Sequence, residues 1–174
     1  MNRKIRIVTS IVFGIALGIG IWTPAVSHAA SAADILNDLH ASNVREIHMG
    51  QIAQSQSVSA DTRDYGKTLV NDHTSADEKV KSVAAKEGVT LKPEEPGMMD
   101  KMDMKKLKSE NGTAFDKDFS DSMISDHQKD IKKLQDALGD SALSVNVRNL
   151  INELLPTLQK HLEIAQKIQA ASSK

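Results

Sequence analysis

The chain has 174 residues, a net charge of −1, 40% hydrophobic residues, 3% aromatic residues and no cysteine. That length fits one domain, the lack of Cys excludes disulfides and thiolate ligands, and a mildly acidic balance with scattered lysines gives no footprint for nucleic acid or an anionic membrane surface. An Ala, Leu, Val, Ile and Met core with so few aromatics suits helices and disfavours a sheet.

Residues 1–29 are basic at the start (Arg3, Lys4, Arg6), uncharged from Ile7 to Trp22 and small at the exit. This is the layout of a secretory signal peptide, with cleavage expected after Ala29, where Ser27 and Ala29 take the two small-residue positions. An uncleaved membrane anchor is the alternative reading of the same run. The domain, 30–174, is then expected to be periplasmic or secreted, and without disulfides it is held by its core alone.

Four long helices are predicted. The first opens on Ser31-Ala32-Ala33-Asp34, a Ser-x-x-acid capping pattern, and runs to about Gln56 with Leu39, Asn43, Glu46, Gly50 and Ala53 on one stripe. The second starts near Ser59 or Asp61 and stops at Gly88, which can take the left-handed conformation that ends a helix. Its stripe is Leu69, His73, Ala76, Val80 and Val83, with Asp72 preceding the His. Between Gly88 and Thr113 lie two dozen residues with Pro93, Pro96 and Gly97, long enough to cross the length of a bundle even with a short helix from Met99 to Leu107 inside. The third helix is expected from Thr113, in a second capping pattern with Asp116, to Gly139. Phe119, Met123, His127, Ile131, Leu134 and Leu138 form its stripe, and Asp126 precedes the His as Asp72 does. The fourth starts around Ser141 or Ser144, carries Leu154, Leu158, His161, Ala165 and Ile168, and contains Pro156, which removes a hydrogen bond to Asn152 and either kinks the helix or marks a boundary between two.

Short connections make each flanking pair an antiparallel hairpin, and the long middle connection favours an all-α, ferritin-like four-helix bundle with a crossover between helices two and three. The set Asn43, Glu46 and Ile47, then Asp72-His73, then Phe115-Asp116 with His127, then Leu155-Pro156, Leu158 and His161-Leu162 resembles the exported bacterial family called domain of unknown function 4142. The resemblance covers about Ser31 to Ala170 and implies a ferritin-like helical fold. It brings no established activity.

Each of the last three helices aims one His at the core, and Glu46 joins them from the first. Burying titratable groups in an aliphatic core costs a few kcal/mol each unless they satisfy one another or a metal does. Neutral imidazoles with a carboxylate suit copper, zinc or iron, so Glu46, His73, His127 and His161 form the candidate metal site, with Asp72 and Asp126 as outer acceptors or contacts to a neighbouring helix. A metal-free buried network linking the helices satisfies the same groups and stands beside it. The di-iron pattern is not met, because no Glu lies three residues before any of these His, so ferroxidase chemistry does not transfer with the fold. Met98, Met99, Met102 and Met104 crowd the crossover, as copper(I) ligands or, more simply, as gap-fillers under a loop. There is no nucleophile elbow, phosphate loop or His-Glu-x-x-His. The function classes are therefore an exported metal-binding or stress-related bundle, a non-catalytic structural or interaction module of the envelope, and a metal-dependent enzyme.

Overall fold

The computed structural model describes residues 31–93 and 98–172. The signal segment lies outside these, as do Pro96, Gly97 and the side chains of Met98 and Met99. Among the described residues the chain is all-helical: α1 spans Ala32–Gln56, α2 Ala60–Glu87, α3 Met98–Lys108, α4 Gly112–Leu138 and α5 Val145–Ser172. No helix among them is long and apolar enough to cross a membrane.

Local chemistry accounts for most of the ends. Ser31 and Asp34 close a reciprocal capping box at α1, and the Ser59 hydroxyl accepts from the Thr62 amide at the start of α2. Gly88 stops α2 at φ 68°, a conformation open to Gly without penalty. At α4 the expected cap is replaced: the helix begins at Gly112, and Asp116 is buried and accepts a 2.5 Å hydrogen bond from Ser57 in the α1–α2 turn. Gly139 at the other end is right-handed, φ −71°. The Ser144 hydroxyl accepts from the Val147 amide and caps α5, which runs unbroken through Pro156. Pro156 and Asn152 both lie on the exposed face, so the carbonyl that loses its partner is turned away from the core.

The helices pack as α1 on α2, α4 on α5, α2 on α5 and α1 on α4. Paired residues fix their directions. Between α1 and α2, His40 meets Asp77 and Asn43 meets His73; between α4 and α5, Asp121 meets Gln169 and His127 meets His161. Asp72 meets His161 and Lys79 meets Glu153 between α2 and α5, while Asp38 meets Lys133 and Ser42 meets Asp130 between α1 and α4. In every pair one number rises as the other falls, so all four contacts are antiparallel.

Two apolar clusters fill the interior. One holds Leu36, Leu39, Val80, Ile131, Leu154 and Leu158, and the other Met49, Tyr65, Leu69, Phe119, Met123 and Ala165. Along each helix the gap between the clusters holds a polar side chain: Asn43 and Glu46, His73, His127 and His161. The polar residues thus share one level of the bundle, sandwiched between dry layers. The short α3 packs on α1 and α4, and its Met104 and Leu107 enter the second cluster while Met102 is 61% exposed. Met104 therefore acts as core filling.

α1 and α2 meet through glycines. A Cβ at Gly66 would stand 2.7 Å from the Gly50 carbonyl oxygen and 2.9 Å from Ala53 Cβ. Helix propensity favours Gly66→Ala by about 0.5–1 kcal/mol, but the clash with backbone costs about 1–3 kcal/mol and prevails. The variant is expected to melt below the wild type; an unchanged or higher melting temperature would show that the two helices separate freely.

Candidate metal centre

The three predicted histidines converge. His73, His127 and His161 are 3%, 1% and 0% exposed, and one nitrogen from each ring lies within 4.8 Å of one from each of the others. Their ring centroids are 5.2–5.8 Å apart.

The outer face of each ring is held by an oxygen that can only accept. His73 Nδ1–H donates to the Asn43 side-chain oxygen at 2.8 Å, His127 Nδ1–H to the Met123 carbonyl at 2.9 Å, and His161 Nε2–H to Asp72 Oδ2 at 2.9 Å. A neutral imidazole has one N–H, so these bonds leave His73 Nε2, His127 Nε2 and His161 Nδ1 as lone pairs. His73 Nε2 is buried without a partner. His127 Nε2 and His161 Nδ1 face each other at 3.3 Å. Two nitrogens at about 2.05 Å from one tetrahedral ion stand about 3.3 Å apart, so this pair already has ligand spacing.

Electrostatics keep the rings neutral. Burial, with the His127 and His161 charges next, holds His73 well below the usual histidine range. Burial and His161 push His127 down to about 4, although the Met123 carbonyl opposes this. Burial also lowers His161, against the pull of Asp72. Unprotonated nitrogens are the state in which imidazole binds metal.

Glu46 lies on the predicted face but outside the triplet. It is 1% exposed, neither carboxylate oxygen has a hydrogen-bond partner, and Arg45 Nη1 is 3.7 Å away. Burial, reinforced by Asp126 and opposed by Arg45, holds its pKa well above the ordinary carboxyl range. Burial thus favours the protonated form of Glu46. Asp72 takes the outer-acceptor role, whereas Asp126 pairs with Arg45 across α1 and α4.

Sequence reasoning assigned no role to three polar contacts. Asn43 was placed on the buried stripe, one turn before Glu46, and that was the available signal for the residue that fixes the His73 tautomer. His40 and Asp77 form a second buried contact between α1 and α2, at 2.5 Å, with Lys81 Nζ 2.8 Å from the other Asp77 oxygen. Ser42 donates to Asp130 between α1 and α4.

No curated protein and no solved structure matches the chain. The model of the family described as domain of unknown function DUF4142 matches residues 23–168, most of the chain including all four central polar positions, and the protein belongs to that family.

Proposed function

We propose that the protein is an exported, ferritin-like four-helix bundle that binds one transition-metal ion through His73, His127 and His161. The basic, apolar and small-residue order of residues 1–29 supports export. The antiparallel contacts support the topology: α1 opposes both α2 and α4, so α2 and α4 run the same way, and the connection through α3 must return the chain along the bundle.

The observation that carries the metal reading is the outward donation of all three rings. A metal-ligating His almost always gives its second N–H to a carboxylate, carbonyl or water, which fixes ring and tautomer. Here one carboxylate, one backbone carbonyl and one amide oxygen do so. Three neutral nitrogens without a thiolate favour copper(II) or zinc ahead of iron. Binding, in an envelope or stress-related role, is the proposed activity. The bundle's lack of catalytic motifs supports that restriction.

The 3.3 Å contact between His127 and His161 also fits a metal-free network of the envelope-module kind. Elemental analysis of protein purified without chelators separates the two. About one ion per chain is expected; protein that arrives free of metal and takes up none on addition would leave the network as the account.

Asp72 gives a finer test. Its side chain is 40% exposed, so Asp72→Ala leaves the core packed but removes the acceptor that orients His161. Zinc affinity is expected to fall about 10–100-fold with helicity unchanged, measured by competition with a chromophoric chelator. Unaltered affinity would mean that His161 needs no orientation.

A further inference from the structure

Three imidazoles leave one coordination position of a tetrahedral ion unfilled, and in such sites that position takes an exogenous ligand. Beside the triad lies a cavity of about 20 Å³, walled by His73, His161, Asn43, Ser42, Thr157 and Asp130 among others. All four long helices contribute to this wall, since Ala76 and Asp72 also line it from α2. Room of this size admits one water, and a water needs two to four polar partners.

Two of the lining residues each keep one buried polar atom without a partner inside the protein. Asn43 is 4% exposed with no acceptor for Nδ2, and His73 is 3% exposed with no partner for Nε2. Buried polar atoms are rarely left so; the ion accounts for His73 Nε2, and Asn43 Nδ2 remains as a donor for a group beside it. Ser42, Thr157, Asp72 and Asp130 also line the cavity, whose wall is otherwise mostly apolar.

We propose that this cavity holds the fourth ligand of the bound ion, a single exchangeable molecule the size of water. The inference rests on the three-His reading. It restricts the ligands that reach the ion to water, hydroxide and other species of one or two heavy atoms, and it excludes organic substrates from direct coordination. Asn43 then has two duties, orienting His73 through its oxygen and donating to the cavity through its nitrogen.

Electron spin resonance of the copper(II)-loaded protein tests it, in ordinary water and in water whose oxygen carries a nuclear spin. Hyperfine coupling to three imidazole nitrogens reports the ligand set, and coupling to the labelled oxygen reports a directly bound water. Both are expected in the wild type. In Ala76→Leu, which fills the cavity and replaces none of the three ligands, the nitrogen pattern and one copper per chain are expected to remain while the oxygen coupling is lost. Nitrogen coupling without oxygen coupling in the wild type overturns the inference and leaves the three-His site standing. Oxygen coupling that persists in a folded, copper-loaded Ala76→Leu places the water elsewhere and also overturns it. Absence of nitrogen coupling overturns both. If Ala76→Leu does not fold, the wild-type spectra decide alone.

Discussion

Replacing His127 with Leu is expected to leave the metal-free protein folded while abolishing its stabilisation by metal. The substituted site is fully enclosed, 1% exposed, and an apolar side chain of similar volume there removes a desolvated ring and merges the two apolar clusters. Leu69→Ala is the proper contrast. That residue is 0% exposed in the cluster with Tyr65 and Phe119, and its truncation costs about 2–5 kcal/mol through lost transfer energy and the cavity left behind. With zinc or copper(II) at a thousandfold excess over its dissociation constant, the wild type gains about 4 kcal/mol. His127→Leu gains nothing because the ligand triangle is broken. Thermal melts with and without metal read all of this. A His127→Leu melt far below that of Leu69→Ala would make the ring a structural anchor instead.

The second large effect is with acid. In chelated protein His127 has a folded pKa of about 4, against about 6.5 in an unfolded chain. Between those values the unfolded chain takes up a proton that the folded one refuses, so stability is fully present above pH 6.5 and falls as the pH drops. Integrated over the window, that one ring accounts for about 3 kcal/mol. His73 and His161, also lowered, act in the same sense. Glu46 opposes them: its raised pKa gives stability that is present below the unfolded value and is lost as pH rises through the folded one. Burial raises Asp130 and Glu110 as well, in the same sense as Glu46, and the three lowered rings are expected to outweigh them and make the bundle acid-labile. Urea unfolding from pH 7 to 4 should therefore show a steep loss in the wild type and a shallower one in His127→Leu, whereas Glu46→Gln should steepen it. A flat wild-type profile would mean that the rings are not held neutral.

Much of this arrangement was legible from spacing alone. A His at a core position of each of three helices, near the midpoint, can only meet its counterparts if the helices pack side by side, and they do. Radial position was less legible. The stripe through Glu46 correctly buried it, yet a helix face is broad, and sequence could not tell that Asn43, one turn earlier, reaches His73 while Glu46 stays outside the triplet. The same ambiguity hid Asp77. Ala76 was read onto the stripe, but the residue after it, four on from His73, is the more buried and pairs with His40. Spacings of three and four differ by one residue, which turns a side chain through about 100° and decides which neighbour it meets. Capping was the other loss. Asp116 has the right spacing from Thr113 to cap α4, but a buried carboxylate that accepts from Ser57 gains more from the α1–α2 turn than from its own helix end. Pro156 needed a structure to resolve, since a break and a tolerated insertion differ only in whether the freed carbonyl faces the core.

The central claim, that one ion binds the three histidines, is tested most directly by calorimetric titration of chelator-stripped protein with zinc and with copper(II). The same titration is repeated on His73→Leu, His127→Leu and His161→Leu. The structure predicts saturation at one ion per chain for at least one of the two metals, and loss of that binding in each variant, since each removes one of three nitrogens. No saturable binding of either metal, or binding that all three substitutions leave unchanged, would contradict it.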